Sequence, residues 1–296
     1  MIMRSQLGGS ILVLGATAVV AMLWGAATSV GGQTPVTYKA PRTSDGQPDL
    51  NGYWQAVNSA NWNIEEHQAQ AAPFEDLVGT YLAQPAGLSV VEGNTIPYKP
   101  EALAERKRLF EGRLTHDPLL IANPEKATSD PEAKCFQGGV PRATYMSFPF
   151  QIVQAKNKVF IGYEYAGSVR MVHLDQTFAD LLDIATWMGQ SIGRWEGDTL
   201  VVEAKSFSGP TIWLDRAGNY FTDQARVTER YTASSPYHLR YEATIEDPTV
   251  FTRPWKISMP LYRRMDANMQ LLEFQCIPFA EEFMFKTLKK PPAKPK

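Results

Sequence analysis

The chain has 296 residues, a formal net charge of −2 and a pI near 6.1. That length carries one large domain or two small ones. The near-neutral balance argues against nucleic acid as a partner. The only basic concentration is the tail KTLKKPPAKPK (residues 286–296), where five lysines alternate with prolines that prevent a helix.

Arg4 is the only charge before Lys39, and residues 11–24 (ILVLGATAVVAMLW) are apolar and lead into small residues. A charged start, an apolar core and a small-residue exit describe a secretory signal over residues 1–32. Residues 11–30 carry no charge, and that length also suffices for a retained membrane anchor. Either reading places the mature protein in the periplasm or outside the cell, free or anchored in the inner membrane. Residues 33–50 read as a Pro/Thr/Ser/Gly-rich linker.

Residues 47–57, with Tyr53 and Trp54, enter the folded part, and 51–134 read as a partly helical flanking region. Helix is predicted from Ile64 to about Tyr81, and again over 101–111, where Pro100 stands in front and Gly112 behind. From Cys135 to residue 285 the pattern becomes that of strands. Apolar runs at 151–153 and 159–165 flank the turn AKNK, and Ala166-Gly167 turns into 168–174. Strands are predicted at 200–205 after Gly197-Asp198, at 226–231 and at 238–246. Trp255, Ile257, Met259 and Leu261 continue the series, and Leu272, Phe274 and Cys276 are expected to close it. The alternation is clearest at 238–246, where Leu239, Tyr241, Ala243 and Ile245 share one face. A period of two with one wet and one dry face marks antiparallel strands. Seven to nine strands without a βαβ rhythm predict a mainly β fold, an antiparallel barrel-like (lipocalin-like) sheet, with a two-layer sandwich as the alternative.

Cys135 and Cys276 are the only cysteines. In an oxidising compartment they can pair and close a loop of about 140 residues, worth about 4–5 kcal/mol at best. The alternative is two separate buried thiols. The four histidines, His67, His116, His173 and His238, have no ligand-like spacing, so no metal site is expected.

In GRWEGDTLVV (193–202), Arg194 and Glu196 flank Trp195. With Asp198 they offer either an acid/base pair beside an aromatic wall that binds a ring or a sugar, or a hairpin with a plugging ring. His173 alternates with Val169 and Met171, while Arg170 faces the other side with Val172 and Leu174. If the His173 face lines a cavity, it is the best general base in the chain. Asp215 and Arg216 stand before a turn as a pair that can orient a base or bind a carboxylate. Glu229 shares a face with Val227 and Tyr231, where an inward carboxylate demands a partner. Arg142, with Tyr145 three residues on, is a candidate anion clamp at a pocket mouth. Trp187 and Trp255 complete the candidate substrate contacts.

Several blocks together resemble a group of bacterial secreted proteins of unknown function. They are RTSDGQPDLNGYW (42–54), CFQGGVPR (135–142), SFPFQIVQ (147–154), MGQSIGRWEGDTLVVEAKSF (188–207), LDRAGN (214–219), VTERY (227–231) and YEATIEDPTVFTRPW (241–255). The resemblance implies shared architecture and export, not a reaction. It departs at CIPFAEE, where such proteins carry Glu and Asn soon after the cysteine.

G-x-S-x-G, H-E-x-x-H, phosphate-loop, C-x-x-C and C-x-x-C-H motifs are absent, so no cofactor is expected. The first functional expectation is an exported protein that binds an apolar or aromatic small molecule. A cofactor-independent acid/base enzyme (lyase, hydratase or isomerase) using His173 with Asp215, Glu196 or Glu229 is the alternative. A membrane-anchored subunit of a larger protein complex is a third.

Overall fold

The structure, a computed structural model, describes residues 38–71, 83–113 and 130–275. Nine strands close into a barrel, and all but one of the neighbouring pairs are antiparallel. In chain order the strands are β1 (Gly52–Ala56), β2 (Phe150–Ala155), β3 (Lys158–Tyr163), β4 (Val169–His173), β5 (Gln190–Glu196), β6 (Thr199–Lys205), β7 (Ile212–Trp213), β8 (Tyr220–Phe221), β9 (Arg226–Ser235), β10 (His238–Glu246) and β11 (Trp255–Arg263). β7 and β8 form a separate two-stranded ribbon. Around the barrel, β2, β3 and β4 run as hairpins. A parallel step, Val172 opposite Ser191, joins β4 to β5. β6 pairs with β9, and β10 and β11 follow. β1 closes the ring between β11 and β2, with Trp54 opposite both Arg263 and Phe150.

Closure follows from the alternation. Along β10, Leu239, Tyr241, Ala243 and Ile245 are fully buried, and the residues between them face outward. Leu200, Val202 and Ala204 of β6 and Trp255, Ile257, Met259 and Leu261 of β11 turn inward in the same way. Each fully buried large apolar side chain stabilises the fold by roughly 1.5–3 kcal/mol. A ring with no free edge removes the unpaired backbone row that an open sheet would expose.

Helix α1 (Pro100–Gly112) begins at Pro100 and buries only Ala102 and Leu109. It lies on the loop before β8, where Gly218 (φ +81°) sits so close that a Cβ there would be 2.9 Å from the Phe110 nitrogen. The short helix α2 (Arg142–Tyr145) buries all four of its residues against the barrel end away from the β2–β3 turn. Among the described residues no helix is long and apolar enough to cross a membrane.

Four expectations need correction. Residues 64–71 are not helical. His67 and Gln70 instead make antiparallel bridges to Gly87 and Gln84, and 72–82 lie outside the described residues. The barrel is not confined to 135–285, because β1 belongs to it. Residues 38–50 are not a free linker, since Ala40 and Leu50 are buried. Leu272 and Phe274 do not form a strand. Phe274 packs instead on Phe148 and Tyr165, with ring centroids 5.3 and 4.8 Å away. Residues 1–37, including the signal or anchor, and 276–296, including Cys276 and the basic tail, lie outside the described residues.

Candidate functional site

The turns β2–β3, β5–β6 and β9–β10 share one end of the barrel, as the strand registers require. Residues 42–51 run across this end as a strap. Gln154 of β2 hooks it: its Oε1 accepts the Leu50 N–H at 2.7 Å, and its Nε2 donates to the Pro48 carbonyl at 2.9 Å. The Gln154 N–H donates to Asn51 Oδ1 at 2.7 Å. Farther along, Arg42 Nη2 meets Asp198 Oδ1 in the β5–β6 turn at 2.5 Å.

A cavity of about 280 Å³ lies at this end, lined by both strap and barrel. The barrel supplies Val159, Leu174 and Trp195 as an apolar floor, with Gln154, Ala155 and Lys156 beside it. The strap supplies Thr43, Ser44, Asp45, Gln47, Asp49 and Asn51. The floor is built by close packing. A Cβ on Gly193 would stand 2.7 Å from Val172 Cγ1 and 3.0 Å from Leu174 Cδ2, so only glycine lets these side chains cross onto β5. Trp195 packs against the core while its ring borders the cavity, and its Nε1 is buried without a hydrogen bond.

Midway along the barrel lies a buried ion pair. Arg170 Nη2 stands 2.5 Å from Glu229 Oε2, and both side chains are essentially inaccessible. Arg170 Nε donates to Ser191 Oγ at 2.8 Å. Glu229 Oε1 accepts from the hydroxyls of Tyr231 (2.9 Å) and Tyr241 (2.8 Å). Burial opposes the guanidinium charge, but the Glu229 carboxylate overrides it and holds Arg170 above its ordinary range. Burial and the same carboxylate raise both tyrosines.

The opposite end is closed by a second charged network. Arg142 grips Asp130 with two hydrogen bonds of 2.7 and 2.8 Å, meets Glu132 at 2.7 Å, and donates from Nε to Asn61 Oδ1 at 2.8 Å. Arg216 makes a two-pronged contact to Glu132 at 2.8 and 2.6 Å. Burial alone would raise the Glu132 carboxyl, but Arg216 and Arg142 bring it down to about 2. Asp215 is fully buried and accepts the N–H groups of Ile64, Ala217 and Asn219 and the Asn219 amide. Desolvation outweighs these hydrogen bonds and pushes its carboxyl up to about 6.

The sequence candidates scatter over these three places. Of the proposed substrate contacts only Trp195 lines the cavity. Arg142 and Arg216 are spent on carboxylates at the plugged end, so Arg142 is not an anion clamp at a mouth. Tyr145 is buried there with its hydroxyl on the Leu214 carbonyl at 2.7 Å. Trp255 is buried against Phe251, and Trp187 lies at the surface beside Phe136 with its Nε1 on the Gln137 carbonyl. Arg194 and Glu196 sit on the outer wall in a ladder with Glu203 and Arg230. His173 shares the outward face of Val169 and Met171, which are 66% and 39% exposed, while Arg170 and Val172 turn inward. The charged residue of β4 that matters is therefore Arg170. Its signal was the demand of the inward Glu229 for a cation. Asp215, Glu196 and Glu229 have separate sets of partners, and His173 has none among the described residues, its Nδ1 being buried without a hydrogen bond, so the four share no partner. Among the described residues no group of three His, Cys, Asp or Glu side chains could hold a metal ion.

Fold and site together define a closed, strapped barrel with a cavity of about 280 Å³ at one end and a charged plug at the other. No protein-family model matches the chain, and no curated protein matches it significantly.

Proposed function

We propose that this is an exported small-molecule-binding protein whose ligand lies beneath the strap. The cavity with its Val159–Leu174–Trp195 floor carries the reading. Binding sites are concave, with an apolar wall and a few polar groups to orient the ligand, and about 280 Å³ stands just below their usual range, which suits a small ligand. A purely apolar ligand fits less well than one with a polar edge, because the strap side is polar throughout. Export rests on the N-terminal apolar run. Pairing of Cys135 with Cys276 is part of the same reading, and it is supported by Cys135 not being a free thiol.

Native mass spectrometry of protein made with its own N-terminus tests the reading. A reproducible adduct below the mass of a peptide is expected, lost on Trp195→Ala and on Ser44→Trp. Ser44 is an exposed strap residue, so the second variant obstructs the cavity without touching the core. An adduct retained by both folded variants would move the ligand elsewhere.

A further inference from the structure

The cavity border carries unspent charge of both signs. Lys156, at the β2–β3 turn, and Asp45, on the strap, make no ion pair or side-chain hydrogen bond. Asp49 uses Oδ1 on the Asn51 N–H and amide, at 2.9 and 2.7 Å, leaves Oδ2 without a hydrogen bond, and is only partly balanced at longer range by the Arg263 guanidinium, which is itself held on the Asn51 carbonyl. Among the neutral polar groups of the lining, Gln154 holds the strap and Asn51 is shared between Asp49 and Gln154, while the side chains of Ser44 and Gln47 make no hydrogen bond among the described residues. The charged groups left for a ligand are thus carboxylate oxygens on the strap and one ammonium on the barrel, beside the Ser44 hydroxyl, the Gln47 amide and the apolar floor.

We infer that the cavity takes a small zwitterion with an apolar body, of the α-amino-acid type. This deepens the small-molecule reading and rests on it. The ligand ammonium meets Asp45 and Asp49, its carboxylate meets Lys156, and its side chain lies on Val159, Leu174 and Trp195. A single-charge ligand satisfies one side and brings a like charge or an unmatched group to the other. A neutral ring leaves both sides unmatched while displacing their water.

Titration calorimetry of the full mature chain with L-phenylalanine, L-leucine and three relatives of phenylalanine tests this. Phenethylamine lacks the carboxylate, 3-phenylpropionate lacks the ammonium, and benzyl alcohol lacks both. The amino acids are expected to bind, and each lost charge to weaken binding at least about tenfold. Lys156→Met should erase the advantage of phenylalanine over phenethylamine. Asp49→Asn, which keeps the oxygen that holds Asn51, should shrink its advantage over 3-phenylpropionate. Equal binding of benzyl alcohol would overturn the zwitterion while leaving a small-molecule cavity in place. If neither amino acid binds while a native adduct persists and is lost in Ser44→Trp, the ligand class is likewise wrong. If no such adduct exists either, the cavity reading itself falls.

Discussion

Arg170 and Glu229 occupy the middle of a barrel whose other inward residues are mostly apolar or aromatic, with no water-facing side to relieve either charge. Breaking such a pair strands one ion, at a cost of about 3–5 kcal/mol, whereas removing both charges is much milder. Arg170→Met alone should therefore lower the urea midpoint far more than Arg170→Met combined with Glu229→Gln, which keeps an acceptor for Tyr231 and Tyr241. Equal loss in the single and double variants would show that the two charges are not coupled. Asp215 makes a pH-dependent contribution of opposite sense to the usual carboxylate. Its pKa is raised on folding to about 6, so its stabilising contribution is complete below about pH 3.8 and is lost as pH rises through 6. Glu132, lowered to about 2, contributes above its unfolded value and loses that as pH falls. Measured against Asp215→Asn, which does not titrate, the wild-type protein should gain about 2 kcal/mol between pH 7 and pH 4.5. A constant difference across that range would remove Asp215 as the cause.

At the scale of elements, legibility tracks locality. β10 was readable to the residue because four inward apolar side chains alternate with polar ones and nothing interrupts the period. β5 carries no legible strand pattern, because its inward positions are Ser191, Gly193 and Trp195. A serine that serves Arg170 and a glycine that makes room for Val172 and Leu174 carry no hydrophobic signal. The parallel step from β4 to β5 and the closure by β1 are long-range pairings that no local pattern announces. The helix read into residues 64–71 shows the same limit, since the bridges to Gly87 and Gln84 override a polar run of good helix formers. The strap reads as a linker because its hold on the barrel comes from residues distant in sequence, Gln154, Asp198 and Arg263. The exposed Arg42–Asp198 pair should add little to stability. Gln154→Ala, by contrast, leaves the Leu50 N–H and the Pro48 carbonyl without their partner. In that variant, amide exchange is expected to speed up across residues 42–51 and to stay unchanged in β9 and β10. Faster exchange throughout the barrel would mean that the strap is not a separable element.

For the whole molecule, the barrel depends on bringing chain ends together. β1 must reach β11 and β2 across intervening segments of about 200 and 90 residues, and contacts of that range form at a high entropic cost. Cys135 stands before β2, and Cys276 follows the segment that Phe274 anchors on Phe148 and Tyr165. A bond between them would join the entry and exit of the eight barrel strands β2–β6 and β9–β11, in the place where closure needs help. The same bond requires an oxidising compartment, so it links fold to export. Protein recovered from the periplasm should take up iodoacetamide at neither cysteine until it is unfolded and reduced. Cys135→Ser should cost about 2–5 kcal/mol of stability. The cytoplasmic form of the same chain should match that variant rather than the exported protein. Full alkylation of the unfolded, unreduced exported protein would separate the two cysteines, and closure of the barrel would then rest on strand pairing and the buried core alone.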